Sequence, residues 1–376
     1  MNPKFINGPV NYIKLNGTIG NIEKEIHIFV DKHLKLEDQT RCVSFNSVYV
    51  SYYSYKLIKE SKEPIDLFME IQTSQIDGIM SNKKDIYINE VFNLFKSKFV
   101  DKKTNNENIL YSKTNSKVRL HYFDIIDHLD IFYLTKIINQ KITKYINLLN
   151  NDKKNKDIYV EKIFLYLDLI SKKIEQLDSN FKKVAFNKNI VYNKINDKQK
   201  YYLNKIINEY SNNNLFNKIN LYLNIHSTAI ILSINQIINN IKYILTHDIL
   251  MNAEILNENN IKLGEHVFQL YSLYTDLYLL RRILDKNYVF KCVIYSGGAH
   301  SMDIIFFLIK YCNFQILKVH KSKETNLDIL KNKIISKIYY YDIFDLFMLK
   351  KIHIQGISCE NIGFDDTMSA FYRTKK

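Results

Sequence analysis

His33, Glu70 and His300 are the side chains best suited to chemistry by residue type and by setting. Each closes or nearly closes an apolar, β-branched run. EIHIFVDKH ends at His33, IDLFMEI carries Glu70 one residue from its end, and CVIYSGGAH ends at His300. Such runs read as buried strands, and open α/β sheets bind ligands beyond the carboxyl ends of their strands. Two imidazoles and a carboxylate on such a rim would hold a divalent metal ion, with His33, His300 and Glu70 as ligands, or would share general acid and base work. Asp31, Asp124 and Arg281 are candidates to support that chemistry. A lone histidine at a strand end is more often structural, and that reading stands beside the functional one.

Other residues gather around these three. Gly297 and Gly298 permit backbone angles or a close approach that a side chain would block, which makes them candidates for holding a ligand. Asp31 and His33 are two apart, so a strand presents both on one face. The segment KVRLHYFDIID, beginning at Lys117, puts Arg119, His121, Asp124 and Asp127 on or just after a fourth strand. For His121 and Asp124, local hydrogen bonding of a loop is the favoured reading. Arg281 and Arg282 precede the CVIYSGGAH strand and would neutralise a bound anion, although Arg281 and Asp285 also form an i,i+4 pair on a helix.

The elements that must position these groups follow from the pattern of the chain. Asn11 to Leu15 and Glu25 to Val30 read as a hairpin joined through Gly17, Gly20 and Asn21. Helices are expected near Val48 to Ser61 and Ile86 to Phe99, the second followed by a polar linker, DKKTNNEN. No glycine occurs between Gly78 and Gly264 and no proline after Pro64, so the usual helix breakers are missing from the middle of the chain. Leu129 to Asp285 is expected to be helical, with joints near Asn150 to Lys156, Asn187 to Asn196 and Asn212 to Asn214. A helix DIIFFLIKYC, a strand from Phe314 to Val319, and a further helix with a tail complete the chain. The fold class is α/β: a mixed central sheet flanked by helices, with a large all-α insertion between the N-terminal and C-terminal sheet parts. The boundaries are residues 1–127, 128–286 and 287–376.

Composition narrows the function classes. With 376 residues, 46% of them hydrophobic, the chain can bury a large core and is not of the disordered class. Lys+Arg 53 against Asp+Glu 39 gives a net charge of +14, a bias that suits nucleic acid or anionic partners. The lysines are nevertheless dispersed among Asn and Ile, and arginine is scarce, so nucleic acid is not the favoured partner. Four cysteines, Cys42, Cys292, Cys312 and Cys359, form no CxxC pair. That pattern fits a reducing compartment. The first residues lack the apolar core of a signal peptide, and no apolar run reaches a membrane span without Asn, Gln or Lys. A soluble, intracellular protein is expected.

Taken together, INGPVNYIKLNG, HIFVDKHLKLEDQTRC, IDLFMEI, VRLHYFDIID, DLYLLRRIL and VIYSGGAHS resemble an uncharacterised protein family of large and giant DNA viruses. The Gly297-x-x-His300 element, the Arg-bearing helix before it, the strand ending at His33 and the acidic strand end at Glu70 are also similar to the TraB/TIKI, ChaN and erythromycin-esterase-like group. That wider resemblance covers the chain to about Asp127 and from about Tyr274 to Val319. It implies an α/β core with a helical insertion and, for some members, a metal-dependent or His/Glu-assisted hydrolase. The group's first histidine commonly follows Gly-x-x-His, whereas here the residues are Val30-Asp31-Lys32-His33, so the backbone is expected to approach a substrate less closely. A viral protein of this kind would reside in the host cytoplasm or the virion. Three function classes stay open. One is a hydrolase of an ester, amide or phosphoester in a small-molecule or peptide substrate, with a divalent metal ion as its candidate cofactor. The others are a catalytically inactive virion or virus-factory component and a basic nucleic-acid-associated protein.

Overall fold

The protein is seen in a computed structural model that describes residues 5–33, 47–72, 91, 93, 98–101, 109–186, 197–207, 210–247, 253–347 and 362–363. The chain divides into two compact units, one of Met1–Asp124 with Arg282–Lys376 and one of Ile125–Arg281. The fold is α/β with a mixed sheet, and a run of helices separates its N-terminal and C-terminal strands in the sequence.

The first unit is built on an eight-stranded sheet. Its strands include β2 (Asn11–Ile19), β3 (Ile22–Asp31), β5 (Ile65–Gln72), β8 (Val118–Asp124), β9 (Lys291–Gly297) and β10 (Gln315–Val319). The order is β10-β2-β3-β9-β5-β8-β7-β6, where β6 is Phe99–Asp101 and β7 is Ile109–Ser112. The central four, β3, β9, β5 and β8, are mutually parallel. Antiparallel strands continue the sheet on both sides. Parallel strands are buried on both faces, which explains the near-continuous apolar runs IFV in β3 and CVIY in β9. One face holds a hydrophobic cluster that includes Tyr12, Phe29, Leu67, Met69, Leu120, Tyr122, Val293 and Tyr295. A separate three-stranded sheet joins β1 (Phe5–Asn7) to β4 (Ser47–Tyr49) and β11 (Ile362–Gly363).

The strand-bearing segments follow the sequence with specific corrections. The β2–β3 hairpin turns at Gly20, which takes a φ of 60°. Gly17 belongs to β2 and not to the turn; it makes room for the Phe314 ring. The first helix is α1 (Val50–Glu60), and the residues before it pair as β4. The helix expected from Ile86 to Phe99 lies mostly outside the described residues, and Phe99 opens a strand. Most of the linker DKKTNNEN, the joint at Asn187 to Asn196 and most of the C-terminal tail also lie outside them. Cys292 and Cys312 are buried free thiols.

In the second unit the described residues form helices: α2 (Asp130–Asn151), α3 (Lys156–Phe186), α4 (Asp197–Ile207), α5 (Asn213–His247) and most of α6 (Ala253–Leu284), with short 3-10 turns. The absence of Pro, and of Gly except Gly264, leaves helix as the default for these Ile-, Leu- and Lys-rich stretches. On α5, Leu215, Ile219, Tyr222, His226, Ile230, Ile234, Ile238, Ile241 and Leu245 are buried, the three- and four-residue spacing of a helix packed on one face. By length and composition alone α5, with an 18-residue stretch of mean hydropathy 1.3, is long and apolar enough to cross a membrane; its buried stripe is that of a packing helix.

Candidate functional site

The C-terminal ends of the parallel strands bring His33, Glu70 and His300 together. β3 ends at Asp31, in register with Gly297 of β9. Two residues later His33 adopts a left-handed φ of 52°, unusual for a side-chain-bearing residue. Glu70 falls at an irregularity in the β5–β8 pairing, between Met69 and Gln72, and such bulges re-aim side chains beside sites. His300 is the third residue of α7 (Gly298–Lys310), which starts directly after β9. The sequence places the helix start at Asp303, in DIIFFLIKYC. Instead, Gly297 is the helix N-cap and Gly298 its first residue.

The contacts form a chain in which imidazoles and carboxylates alternate. His33 Nδ1 lies 3.2 Å from Asp31 Oδ2, and His33 Nε2 lies 3.1 Å from Glu70 Oε1. His300 Nε2 approaches the same Glu70 oxygen at 3.4 Å. Glu70 Oε2 accepts the Gly297 N–H. β3 and β5 are separated by β9, so their axes are about 10 Å apart; His33 and Glu70 meet across the end of the strand between them. That meeting requires Gly297. A Cβ there would fall 2.4 Å from His33 Nε2 and 3.2 Å from Glu70 Oε2. Because Gly297 has φ −62°, close approach and not a left-handed backbone is the reason for this glycine.

Burial works against charge on His33, but the Glu70 carboxylate and the contacts with Asp31 outweigh it and raise its pKa to about 11. The His33 side chain is 36% exposed, so solvent screening tempers this pull. Burial likewise opposes ionisation of Glu70, and the charges of His300 and His33, the His33 hydrogen bond and the Gly297 N–H hold it down at about 2. Neutral pH therefore finds an imidazolium at His33 and a carboxylate at Glu70. His300 is buried, with the edge of the Phe123 ring at a centroid distance of 6.2 Å.

The remaining candidates are placed differently. Asp31 is buried at the end of β3, its Oδ1 accepting the Lys32 N–H at 2.9 Å. Asp124 ends β8 in register with Gln72, on the same rim. Arg281 lies in the helical unit, buried, its guanidinium 5.9 Å from the centre of the Tyr210 ring. The metal reading meets a geometric obstacle. Both imidazole Nε2 atoms aim at one carboxylate oxygen, and among the described residues no group of three or more His, Cys, Asp or Glu could hold a metal ion.

His121 is not at a strand end and does not serve a loop. It lies within β8, buried, and its Nε2 is 2.7 Å from Asp66 Oδ1. Its Nδ1 accepts from Arg282 Nη2 at 2.6 Å. A guanidinium can only donate, so His121 carries its proton on Nε2 and gives it to Asp66. Arg119 grips both Asp66 oxygens at 2.7 Å. Burial, and then the Arg282 charge, lower the His121 pKa to about 4. Sequence reasoning passed over Asp66, although an aspartate inside the apolar run IDLFMEI must find a partner if it is buried.

A family model described as a family of unknown function (DUF5847) matches residues 4–364. Among its relatives, Uncharacterized protein R706 of Acanthamoeba polyphaga mimivirus is 26% identical, over 89% of this chain and 90% of that protein. Uncharacterized proteins R160 and R161 of the same virus are each 28% identical. They cover 86% and 85% of this chain and 88% of their own lengths. No solved structure matches.

Proposed function

The chain belongs to the family of unknown function DUF5847, and from that premise we propose that its parallel-strand rim is a hydrolytic site in which His300 moves the proton. The observation that carries this reading is the convergence of His33, Asp31, Glu70 and His300 at the mouth of parallel strands. Glu70, held ionised, fixes the orientation of His300, as carboxylates orient catalytic imidazoles elsewhere. In its neutral form His300 takes a proton from water attacking an ester, amide or phosphoester, and returns it to the leaving group. His33, charged and partly exposed, stabilises the developing oxyanion together with the N-terminal N–H groups of α7. The likeness of these segments to the TraB/TIKI, ChaN and erythromycin-esterase-like group supports the same reading. No metal enters it, because the donors face one another. The protein would act in the host cytoplasm or the virion on a small-molecule or peptide substrate.

A second reading, a catalytically inactive virion or virus-factory component, is favoured by one observation: His33 spans two carboxylates, as a purely structural imidazolium would. One assay separates the two. The purified protein is offered p-nitrophenyl acetate, a peptide anilide and bis(p-nitrophenyl) phosphate, beside His300→Ala, His33→Ala and Glu70→Gln. The hydrolase reading expects turnover of at least one class, falling about 10²–10⁴-fold in His300→Ala with melting temperatures kept within a few degrees. Wild-type turnover equal to that of His300→Ala on all three classes leaves the inactive component.

A further inference from the structure

The helical unit holds a cavity of about 220 Å³, lined by Phe132, Thr135, Lys136 and Gln140 of α2, Ile170 of α3, and Val267 and Phe268 of α6, with Asn139 and Gly264 completing its wall. We propose that this cavity binds a small aliphatic or aromatic carboxylate, with its hydrocarbon among Phe132, Ile170, Val267 and Phe268 and its carboxylate at Lys136.

Apolar walls open to water are unfavourable unless something covers them, and Phe268 is 44% exposed here. The rings of Phe132 and Phe268 lie 6.4 Å apart and tilted by 57°. Gly264, the single glycine between Gly78 and Gly297, stands inside α6. A glycine there costs about 1 kcal/mol relative to alanine. A Cβ would fall 3.2 Å from Asn139 Nδ2, and that amide is not free to move aside. Asn139 Nδ2 donates to Asn260 O at 3.1 Å, while Asn260 Nδ2 donates to Asn139 O and Thr143 Oγ1. The pair clamps α2 to α6 along one side of the cavity and holds its shape, so the cavity does not close by sliding the helices together.

The polar features of the wall point to an acid. Lys136 is exposed at the cavity and makes no ion pair among the described residues. Next to it in sequence, Thr135 donates to Phe132 O at 2.9 Å. A cation at the edge of the cavity, whose body is lined by Phe132, Ile170, Val267 and Phe268, matches a carboxylate with a short hydrocarbon better than a neutral lipid or a sugar. The volume is below the usual range for drug-sized ligands, which limits the occupant to a small acid.

Calorimetric titration of the full-length protein with octanoate, and with octanol as the neutral probe, tests this. Saturable binding of octanoate is expected, at least tenfold tighter than octanol. Val267→Phe should abolish it by filling the cavity. Lys136→Glu, on the exposed side of α2 where folding is not at stake, should weaken octanoate at least tenfold and leave octanol unchanged. The proposal is overturned by the absence of saturable octanoate heat up to millimolar concentration, by equal affinity for octanol, or by unchanged octanoate binding in Lys136→Glu.

Discussion

The sheet of the first unit carries two arrangements of the same residue types, and they reach opposite protonation states. At the rim, His33 stands between two carboxylates and Glu70 between two imidazoles; His33 is held protonated. In the interior, His121 stands between one carboxylate and Arg282, with Arg119 close by; it is held neutral. Both histidines lose hydration, which disfavours their charge. The sign of the surplus partner decides the outcome. A surplus of carboxylate makes an imidazolium on the partly exposed rim, whereas a surplus of guanidinium makes a buried hydrogen-bond relay. Histidine beside a carboxylate is thus not a functional signature until the third partner is known.

The largest contrast should appear on removing the carboxylate from each arrangement. Asp66→Ala strands Arg119 and the His121 donor in the interior and should lower stability by about 3–5 kcal/mol, as breaking a buried ion pair does. Glu70→Ala leaves a partly exposed His33 that water can serve, and urea melts should show a clearly smaller loss. Equal losses would erase the distinction.

The pH dependence should separate the two regions next. The His121 pKa is depressed, so the unfolded chain binds more protons between pH 6.5 and about 4, and stability falls as pH drops through that window. The His33 pKa is raised, so its contribution is complete below pH 6.5 and is lost as pH rises through about 11. Glu70 is depressed, so its contribution is complete above pH 4.5 and is lost as pH falls through about 2. Melting curves of Glu70→Gln should lose most of the alkaline slope and keep the loss between pH 6.5 and 4.

Gly297→Ala probes the close packing of the rim. The added methyl collides with His33 Nε2, at a cost of about 1–3 kcal/mol from overpacking, and the His33 pKa measured by NMR should fall towards 6.5 as the ring is pushed off Glu70. A smaller effect is expected at His33 itself. His33→Gly should be about 1 kcal/mol more stable than His33→Ala, because only glycine enters the left-handed region without strain.

The rim was legible in the sequence because its parts sit at the ends of apolar runs, and α/β topology sends such ends to one side. His33, Glu70 and His300 needed no knowledge of pairing partners to be placed there. The interior arrangement was not legible for the opposite reason. Asp66 and His121 meet only because β5 and β8 pair in one register, and Arg282 joins them through tertiary packing; Arg281, its equally plausible neighbour in sequence, lies in the other unit. The short strands β1, β4, β6, β7 and β11 were invisible because segments of two to four residues carry no measurable period. The start of α7 was displaced because Gly297-Gly298 has the composition of a turn, and only the backbone shows that it opens a helix.

β9 has one more consequence, for the order in which the molecule can come into being. It inserts between β3 and β5, which are made early, yet it is synthesised only after the whole of Ile125–Arg281. On the ribosome, β3 and β5 must wait with one edge each unsatisfied, a situation that invites self-association. A chain interrupted anywhere in the helical region would hold His33 and Glu70 but nothing to bridge them, so no such product brings His33, Glu70 and His300 together. Completion of translation past His300 is itself the step that closes the sheet and assembles the site.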